Sequence, residues 1–342
     1  MEHIGAAGAL AAAVIVAVSG VLCGLATRLL IPVLRRRGAL DRPNERSSHA
    51  APTPRGGGIA VVGTVLAIWL GLAAGGWVTP RLVPAALAAL LLAAVSWLDD
   101  VHDLPPLARL VAQAAAVAIG LVALPAASGA AAAWLGSTAW LAIFGLAWLW
   151  WVNLYNFMDG IDGLAGCETA AIGGGLLAFT AIGRGVDASV ALLAAPLLGA
   201  ALGFLLWNWS PARIFLGDVG SVPLGYLTGY LLLGLAAAGA WKIALILPLY
   251  FIADATITLG RRLLRGERVW RAHRQHFYQQ AIRRGLDHAA VVKRIFVADL
   301  LLIAFGWAAE NGAGAAALPA AAVVVAVVLA ALAGRRQVPG QP

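Results

Sequence analysis

Long apolar segments and short polar segments alternate along the whole chain. Taking about 20 apolar residues as the length that crosses a bilayer, this pattern predicts eleven helical spans. They lie near residues 4–34, 59–77, 82–98, 107–124, 134–152, 166–183, 188–207, 221–239, 241–259, 293–310 and 316–333. We therefore expect an all-α polytopic membrane protein of about 10–11 transmembrane helices, folded as a single domain over residues 1–342.

Basic residues are distributed unevenly between the two ends of these spans. With a periplasmic N-terminus, the cytoplasmic loops are those near 35–58, 99–106, 153–165, 208–220 and 260–292. Of the 24 Lys and Arg residues, the outer side then keeps only Arg81, Arg184 and Lys242, which is the positive-inside asymmetry. The same parity places every polar motif on one face. It predicts a bacterial inner-membrane protein with a cytoplasmic active site.

Composition agrees with the membrane class. The chain is 61% hydrophobic and 12% charged, whereas soluble domains carry about 25% charged residues. Basic cytoplasmic loops explain the net charge of +8, so nucleic acid is not an expected partner. Cys23 and Cys167 lie in or beside apolar segments, which argues against a disulfide framework or a zinc site. The start, Met1-Glu2-His3, lacks the basic region of a cleaved signal peptide.

The segment 153–164 concentrates the most polar groups at the end of an apolar run. It holds two carboxamides, Asn153 and Asn156, and two carboxylates, Asp159 and Asp162. Charged groups at the edge of hydrocarbon are expensive and usually functional. In a helix the two carboxylates would share a face, and their hard oxygens suit Mg²⁺. Gly160 would let a ligand approach the backbone.

The loop at 35–58 combines basic residues, hydroxyl groups and a run of glycines. Loop 35–58 offers Ser47, Ser48, His49, Arg55 and the run 56–58 as a close-approach surface for a phosphorylated substrate, although an ordinary solvated basic loop is the alternative. The run lacks the Lys-Ser/Thr of a P-loop.

Three carboxylates stand at the mouth of a span. Asp99, Asp100 and Asp103 could bind a cation or take a proton from a phosphate nucleophile, and one of them could merely cap a helix.

Two more segments carry candidate chemistry. Asp218, between glycines, is either a metal ligand or, like Ser221, an N-cap. In loop 260–292, His273, Arg274 and His276 suit phosphate binding, while an amphipathic helix resting on anionic headgroups is the alternative. Asp254 and Asp299 lie within or near spans, where Asp254 could line the same cavity and Asp299 could be paired in the bundle.

Together these motifs resemble the polyprenyl-phosphate N-acetylhexosamine-1-phosphate transferase family, which includes phospho-N-acetylmuramoyl-pentapeptide transferase and the initiators of O-antigen and other surface glycans. The resemblance rests on an ordered set of motifs: PTPRGGG at 52–58, DD at 99–100, NxxNxxDGxDGL at 153–164, FxGDxGS at 215–221 and HRxHxY at 273–278.

This resemblance implies that polyprenyl phosphate attacks a UDP-N-acetylhexosamine, giving polyprenyl-diphosphate-sugar and UMP. It implies Mg²⁺, or Mn²⁺, as cofactor, with Asp218 as principal ligand and Asp99, Asp100 and Asn156 as further candidates. The Asp pair would also orient or deprotonate the lipid phosphate. A homodimer is one option that the sequence leaves open.

The resemblance also implies roles for the remaining site residues. Asp159 would shape the diphosphate site with Asn156 and Asn153. Gly160, Ile161 and Asp162 would approach the uridine, with Phe215 stacking on the base. His273, Arg274 and His276 would hold the diphosphate or the sugar, and His49 and Arg55 remain substrate-binding candidates from loop 35–58.

One departure bears on the subgroup. The muramoyl-pentapeptide branch carries three consecutive histidines where this chain has His273-Arg274-Gln275-His276. The chain is therefore more similar to the branch that initiates O-antigen or other surface glycans.

Two rival functions remain at this point. An intramembrane prenyltransferase would use the DDxxD pattern at 99–103 with Mg²⁺, but it would leave the other motifs unexplained. A secondary transporter would place carboxylates near the midplane and show internal repeats, whereas here the acidic residues gather at one face.

Overall fold

The computed structural model describes residues 6–41, 51–124, 130–182, 187–269 and 273–334, and it is helical almost throughout these ranges. The helices are α1 (Ala6–Arg36), α2 (Gly58–Ala74), α3 (Leu82–His102), α4 (Pro106–Ala123), α5 (Ala130–Met158), α6 (Leu164–Ile182), α7 (Ala188–Asn208), α8 (Asp218–Ala237), α9 (Trp241–Ile246), α10 (Leu249–Leu264), α11 (Phe277–Arg283), α12 (His288–Glu310) and α13 (Gly314–Ala333). Two short strands, β1 (Leu40–Asp41) and β2 (Thr53–Pro54), pair antiparallel. The all-α prediction is confirmed.

Most of the predicted spans are single helices. Within the described ranges, eight helices are long and apolar enough to cross a membrane, and α2 is a shorter apolar helix. The span predicted near 241–259 is wrong as one helix, because the chain breaks between α9 and α10. Pro248 stands at that break, where its ring nitrogen cannot donate the next helical hydrogen bond. α12 contains charged residues, including Lys293 and Arg294, and it is not among these eight helices.

The predicted polar loops meet at one end of the bundle. The end of α1 reaches this end through the β1–β2 pairing, and β2 leads into α2. The end of α13 reaches it through Arg284, whose guanidinium donates to the carbonyls of Leu332, Ala333 and Gly334. Successive helices therefore run back and forth, so that residues far apart in sequence share this end.

Small residues let two helices approach closely. α1 carries Gly20 and Gly24 at GxxxG spacing, and the facing helix α7 carries Gly199 and Gly203 at the same spacing. A Cβ built on Gly203 would lie 2.2 Å from the Gly20 carbonyl oxygen. In a bilayer, where apolar burial gives little drive for helices to associate, such close packing is a main source of affinity.

Aromatic side chains join α5 to α8 beneath the polar end. Trp148 stacks on Tyr226 with ring centroids 4.7 Å apart, and its indole donates to the Tyr226 carbonyl. Trp151 donates to the Thr228 hydroxyl at 3.0 Å. These buried polar atoms are satisfied, so the contact fixes α5 and α8 without an unpaired group. It thereby sets the spacing of the loops that follow α5 and precede α8.

Candidate active site

Arg55 joins two of the predicted carboxylates. Its Nη2 atom lies 2.7 Å from Asp100 Oδ1 and 2.8 Å from Asp218 Oδ1. These partners come from three different parts of the chain, since Arg55 follows β2, Asp100 lies in the last turn of α3 and Asp218 begins α8. A guanidinium suits this bridging role because its donors are held in a rigid fork. The prediction that these motifs converge is confirmed in the structure.

Asp100 also holds the first turn of α8. Its two carboxylate oxygens accept the backbone N–H groups of Asp218 at 3.2 Å and Val219 at 3.0 Å. It thus supplies, from another helix, the cap that an N-terminus needs, and its charge suits the helix dipole. Gly217 precedes this turn at φ +75°, and a Cβ there would lie 2.9 Å from the Asp100 carboxylate.

Asp99 has a different environment from its neighbour. It accepts the Leu104 N–H at 2.8 Å and the Arg109 guanidinium at 2.9 Å. Its carboxyl group also interacts with that of Asp218. Asp103, the third carboxylate of the motif, ends α3 in the left-handed conformation at φ 50° and is exposed. The pair that looked equivalent in sequence is therefore divided into one residue that caps α8 and one that pairs with Arg109.

The glycine run at 56–58 contacts the chain itself. Gly56 and Gly57 donate their N–H groups to the Phe215 carbonyl, and Gly58 donates to Leu216. A Cβ on Gly58 would lie 2.1 Å from the Gly220 Cα atom. The expectation that this run offers close approach to a substrate is wrong for these backbone groups, because the start of α8 already occupies that space. The run instead fixes Arg55 beside Asp218.

A cavity of about 250 Å³ opens beside these carboxylates. Its polar lining comes from Asp99, Arg109, Gln113, Asn153, Asn156 and Asp218, and its other lining residues are Leu92, Val95, Ser96, Pro106, Leu110, Ala112, Phe157 and Val222. The three charged residues, Asp99, Arg109 and Asp218, interact with one another, so charge is concentrated in one part of the lining, and the remaining surface is mostly apolar. This is the shape expected for a ligand with an anionic head and a hydrocarbon chain.

The two asparagines of the central motif are held at this cavity by neighbours. Asn153 donates to Gln113 Oε1 at 2.8 Å and to the Leu149 carbonyl. Asn156 accepts the Ser221 hydroxyl at 2.6 Å. Both lie near the end of α5, so the motif reaches the cavity from a helix rather than a loop.

Negative charge is in excess around Arg55. Four carboxylates, Asp99, Asp100, Asp159 and Asp218, face two guanidinium groups. Burial raises the pKa of Asp159 well above its ordinary value, and the nearby Asp218 carboxylate raises it further. This repulsion is what a divalent cation would relieve.

The donor set fits Mg²⁺ in its chemistry. Asp218, Asp99, Asp159 and the Asn156 amide supply hard oxygen atoms, which this ion prefers. Among the described residues no three acidic, His or Cys side chains already form a coordination group. Arg55 now neutralises Asp218, and the cap on α8 engages both oxygens of Asp100. Asp100 is therefore the least available of the predicted metal ligands.

Asp162 contacts a loop and a helix start. Its Oδ2 atom lies 3.3 Å from His288 Nδ1 and accepts the Ala212 N–H at 3.1 Å. Although burial opposes the charge, hydrogen bonds from His288 and Ala212 lower the pKa of Asp162 overall. The adjacent Gly163 N–H donates to Asn208 Oδ1 at 3.0 Å. Asp162 therefore orders the segment 208–214 that leads to Phe215.

Gly160 is packed against a tyrosine. A Cβ on Gly160 would lie 2.2 Å from Tyr278 Oη and 3.2 Å from Gln279 Nε2. Tyr278 in turn donates its hydroxyl to the Phe157 carbonyl at 2.8 Å. Ile161 is buried. The close approach predicted for Gly160 is thus made by the chain's own α11, whereas Phe215 remains partly exposed.

His276 is anchored by Asp254 of α10. The buried Asp254 carboxylate lies 3.1 Å from His276 Nδ1 and accepts the N–H groups of Phe277 and Tyr278. It also accepts the Tyr250 hydroxyl at 3.0 Å. A neutral His276 therefore carries its proton on Nδ1 and leaves Nε2 as an acceptor. Asp254 sets the start of α11.

His273 and Arg274 precede this anchored histidine. The ring centroids of His273 and His276 are 4.9 Å apart. Burial, followed by repulsion from His276 and Arg262, lowers the pKa of His273 to about 4. Arg274 lines a separate cavity with other arginines. His49, also predicted at the site, lies outside the described residues.

Sequence analysis missed the residues that position the predicted ones. These are Arg109, Gln113, Asn208 and His288. Arg109 and Gln113 were detectable as polar residues one and two turns into an apolar span, where such groups need a partner. Nothing in the local pattern marked Asn208 or His288.

A carboxylate cluster beside a largely apolar cavity, at one end of a membrane bundle, defines a class of enzyme that handles phosphorylated lipids. The model of glycosyl transferase family 4 matches residues 82–236. The chain belongs to this family of membrane transferases, within the group of polyprenyl-phosphate hexosamine-1-phosphate transferases. That group is generally dependent on divalent metals.

Relatives from both main branches are similar to this chain. A probable undecaprenyl-phosphate N-acetylglucosaminyl 1-phosphate transferase of Bacillus subtilis (strain 168) is 28% identical over 293 residues, covering 80% of this chain and 79% of the relative. A phospho-N-acetylmuramoyl-pentapeptide-transferase of Synechococcus sp. (strain JA-2-3B'a(2-13)) is 33% identical over 319 residues, covering 82% and 87%. The family resemblance read from the motifs is therefore confirmed, while the branch stays a prediction.

Proposed function

We propose that this protein transfers an N-acetylhexosamine 1-phosphate from a UDP-sugar to polyprenyl phosphate. A phosphate oxygen of the lipid attacks the β-phosphorus of the nucleotide sugar. The bond between that phosphorus and the bridging oxygen breaks, UMP leaves, and the sugar remains on a lipid diphosphate. Family membership favours this reaction over a prenyltransferase or a transporter.

The single observation that carries the proposal is the cavity with one charged end and a mostly apolar remainder. We place the lipid phosphate at Asp99, Asn156 and Asp218, and the first isoprene units along Leu92, Val95 and Val222. The lipid would then present its phosphate at the end of the bundle where the nucleotide-sugar motifs converge. Such positioning removes much of the barrier, because two anions must otherwise be brought into line.

The carboxylates take different roles in this proposal. Asp99 lines the cavity and can accept a proton from the lipid phosphate, while Asp100 positions the start of α8 and Arg55. Mg²⁺ or Mn²⁺, held by Asp218 with Asp159, Asn156 or Asp99, would supply the positive charge that two phosphate groups require. Arg109 keeps Asp99 oriented.

The nucleotide sugar is assigned to the loops around α11. We assign the sugar or diphosphate to His276, which is buried and fixed through Nδ1, and to His273, which remains neutral at physiological pH. Arg274 adds a permanent positive charge. Phe215 and the 160–162 segment are retained for the uridine. We propose a cytoplasmic active site, a periplasmic N-terminus and a role in starting O-antigen or another surface glycan.

Purified protein in lipid nanodiscs tests the reaction. It should release UMP from UDP-N-acetylglucosamine or a related UDP-sugar only when polyprenyl phosphate and Mg²⁺ are both present. Asp218→Asn should lower turnover at least a hundredfold, since it removes a charge at the reacting centre. Asp103→Asn is the matched control, because Asp103 belongs to the same acidic motif region but is exposed and does not line the cavity.

Comparing the two variants tests whether Asp218 has a specific role at the site or acts only through its charge. Equal loss in both variants would assign the effect to general surface charge, and normal turnover in Asp218→Asn would remove this residue from the site. A panel of UDP-sugars then identifies the donor. Use of UDP-N-acetylmuramoyl-pentapeptide alone would overturn the assignment to the surface-glycan branch.

A further inference from the structure

A second cavity lies beside α10 and α11 and shares no lining residue with the first. Its volume is about 300 Å³. It is lined by Thr258, Arg261 and Arg265 of α10, by Arg274 and Gln275, and by Gln280 and Arg283 of α11. Four of these seven residues are arginines and none is acidic. The proposed transfer reaction uses only Arg274 of this group.

The residues that join α11 to the central motif do not line this cavity. On α11, Gln279 lies toward Gly160, with its Nε2 atom 3.2 Å from the position of a Cβ there. Successive residues of a helix point about 100° apart, and residues three or four apart share a face. Gln280 therefore points away from Gln279, whereas Arg283 shares a face with both. Gln280 and Arg283 line the arginine cavity, and Gln279 does not.

Positive charge in this cavity is not cancelled by its own lining. Glu267 is not a lining residue; its carboxylate accepts from Arg262 Nε at 2.8 Å and from Gln275 Nε2 at 3.0 Å, and it also interacts electrostatically with Arg265. Arg261 lies over the Phe277 ring at 5.0 Å, which fixes its direction. Several converging guanidinium groups are the usual means of binding a phosphate.

The surroundings indicate a lipid rather than a soluble phosphate. Leu263 is 66% exposed and Leu264 is 90% exposed, and both lie between Arg261 and Arg265 on the last turn of α10. Exposed leucines beside basic residues are typical of a helix at the membrane interface. In a bundle that spans the bilayer, this places the arginines at the level of the headgroups.

We propose that this cavity binds the phosphate headgroup of an anionic phospholipid, with acyl chains lying along Leu263 and Leu264. The site shares Arg274 with the proposed nucleotide-sugar site but no residue with the carboxylate cavity, and it does not depend on the proposed reaction being correct. Bound lipid would hold α10 against α11. It would thereby support the segment that carries His276.

Native mass spectrometry of the full chain in detergent tests this site, with phosphatidylglycerol and phosphatidylcholine of matched acyl chains as probes. The variant is Arg265→Gln with Arg283→Gln, two exposed positions outside the proposed catalytic machinery. The matched control is Arg35→Gln with Arg37→Gln, which removes equal charge from exposed positions at the same end of the bundle. Taking about 1 kcal/mol per basic residue, a guanidinium that lines the cavity and contacts the bound phosphate strengthens lipid binding about fivefold.

We expect the wild type to retain phosphatidylglycerol over phosphatidylcholine, and the Arg265/Arg283 variant to bind it about thirtyfold more weakly. The Arg35/Arg37 control should bind it as the wild type does. Equal retention in all proteins, or equal loss in both variants, would overturn the site. Displacement of the lipid by glycerol phosphate would instead assign the cavity to a soluble phosphate ligand. If the double variant does not fold, Arg283→Gln alone should show the fivefold loss.

Discussion

Packing between Gly160 and Tyr278 gives a direct test of how α11 is docked on the central motif. Replacing Gly160 with Ala puts a Cβ atom 2.2 Å from Tyr278 Oη and 3.1 Å from its Cζ atom. The backbone at Gly160 does not have a positive φ angle, so Ala is strained only by this contact. Tyr278 is fully buried and cannot rotate away into solvent.

The size of the effect follows from these distances. Overpacking of this kind costs about 1–3 kcal/mol. Tyr278→Phe alone removes the hydrogen bond to the Phe157 carbonyl, at a cost of about 1 kcal/mol. It also removes the Oη atom, so the Cβ atom introduced by Gly160→Ala then meets only the ring carbon at 3.1 Å and Gln279 Nε2 at 3.2 Å. We expect the double variant to be less destabilised than the sum of the single variants by about 1 kcal/mol.

Thermal unfolding of the detergent-solubilised variants measures this coupling, at about 2–4 °C per kcal/mol. UMP release, measured alongside, should fall in Gly160→Ala because α11 carries His276. Gly174→Ala is the matched control, since the nearest atom to its Cβ is 4.0 Å away. Strict additivity in the double variant, or wild-type stability in Gly160→Ala, would refute the packing argument.

Three other predictions concern buried polar groups. Asp254→Asn weakens the acceptor for two backbone N–H groups and for His276. It should therefore raise KM for the nucleotide sugar several-fold more than it lowers kcat. An unchanged KM would show that His276 does not bind that substrate. Glu168→Leu should raise the unfolding temperature, because both carboxylate oxygens of Glu168 are buried without a hydrogen-bond partner in the described structure and such a group costs about 1–3 kcal/mol. Thr169→Val, which removes a satisfied hydroxyl, should lower it. His273 has its folded pKa lowered to about 4, so wild-type stability should fall as pH drops from about 6.5 toward 4 while His273→Gln loses less; parallel pH curves would contradict this.

The chain's local pattern was sufficient for the helices and for the clustering of its motifs. An apolar run of about 20 residues has few options other than a membrane-crossing helix, because hydrocarbon leaves every backbone group to be satisfied within the segment. Alternation of such runs puts every second polar loop at the same end. The predicted contact therefore forms between Arg55, Asp100 and Asp218, although 163 residues separate Arg55 from Asp218.

Which partner each polar residue takes was decided by tertiary structure. Asp99 and Asp100 are adjacent in sequence, yet one lines the cavity and the other caps α8. Their side chains point in directions about 100° apart on α3, and only the positions of α4 and α8 determine what each one meets. The local sequence pattern does not specify where α4 and α8 lie in the fold.

Gly58 and Gly160 show the same division between what the sequence determines and what the fold determines. Sequence marks Gly58 and Gly160 as places where something comes close, since glycine has no Cβ. Only the fold determines that the neighbours are Gly220 and Tyr278 of this same chain. A residue's conformational freedom is local and can be read from its type, whereas the group that fills the adjacent space arrives from elements more than a hundred residues away.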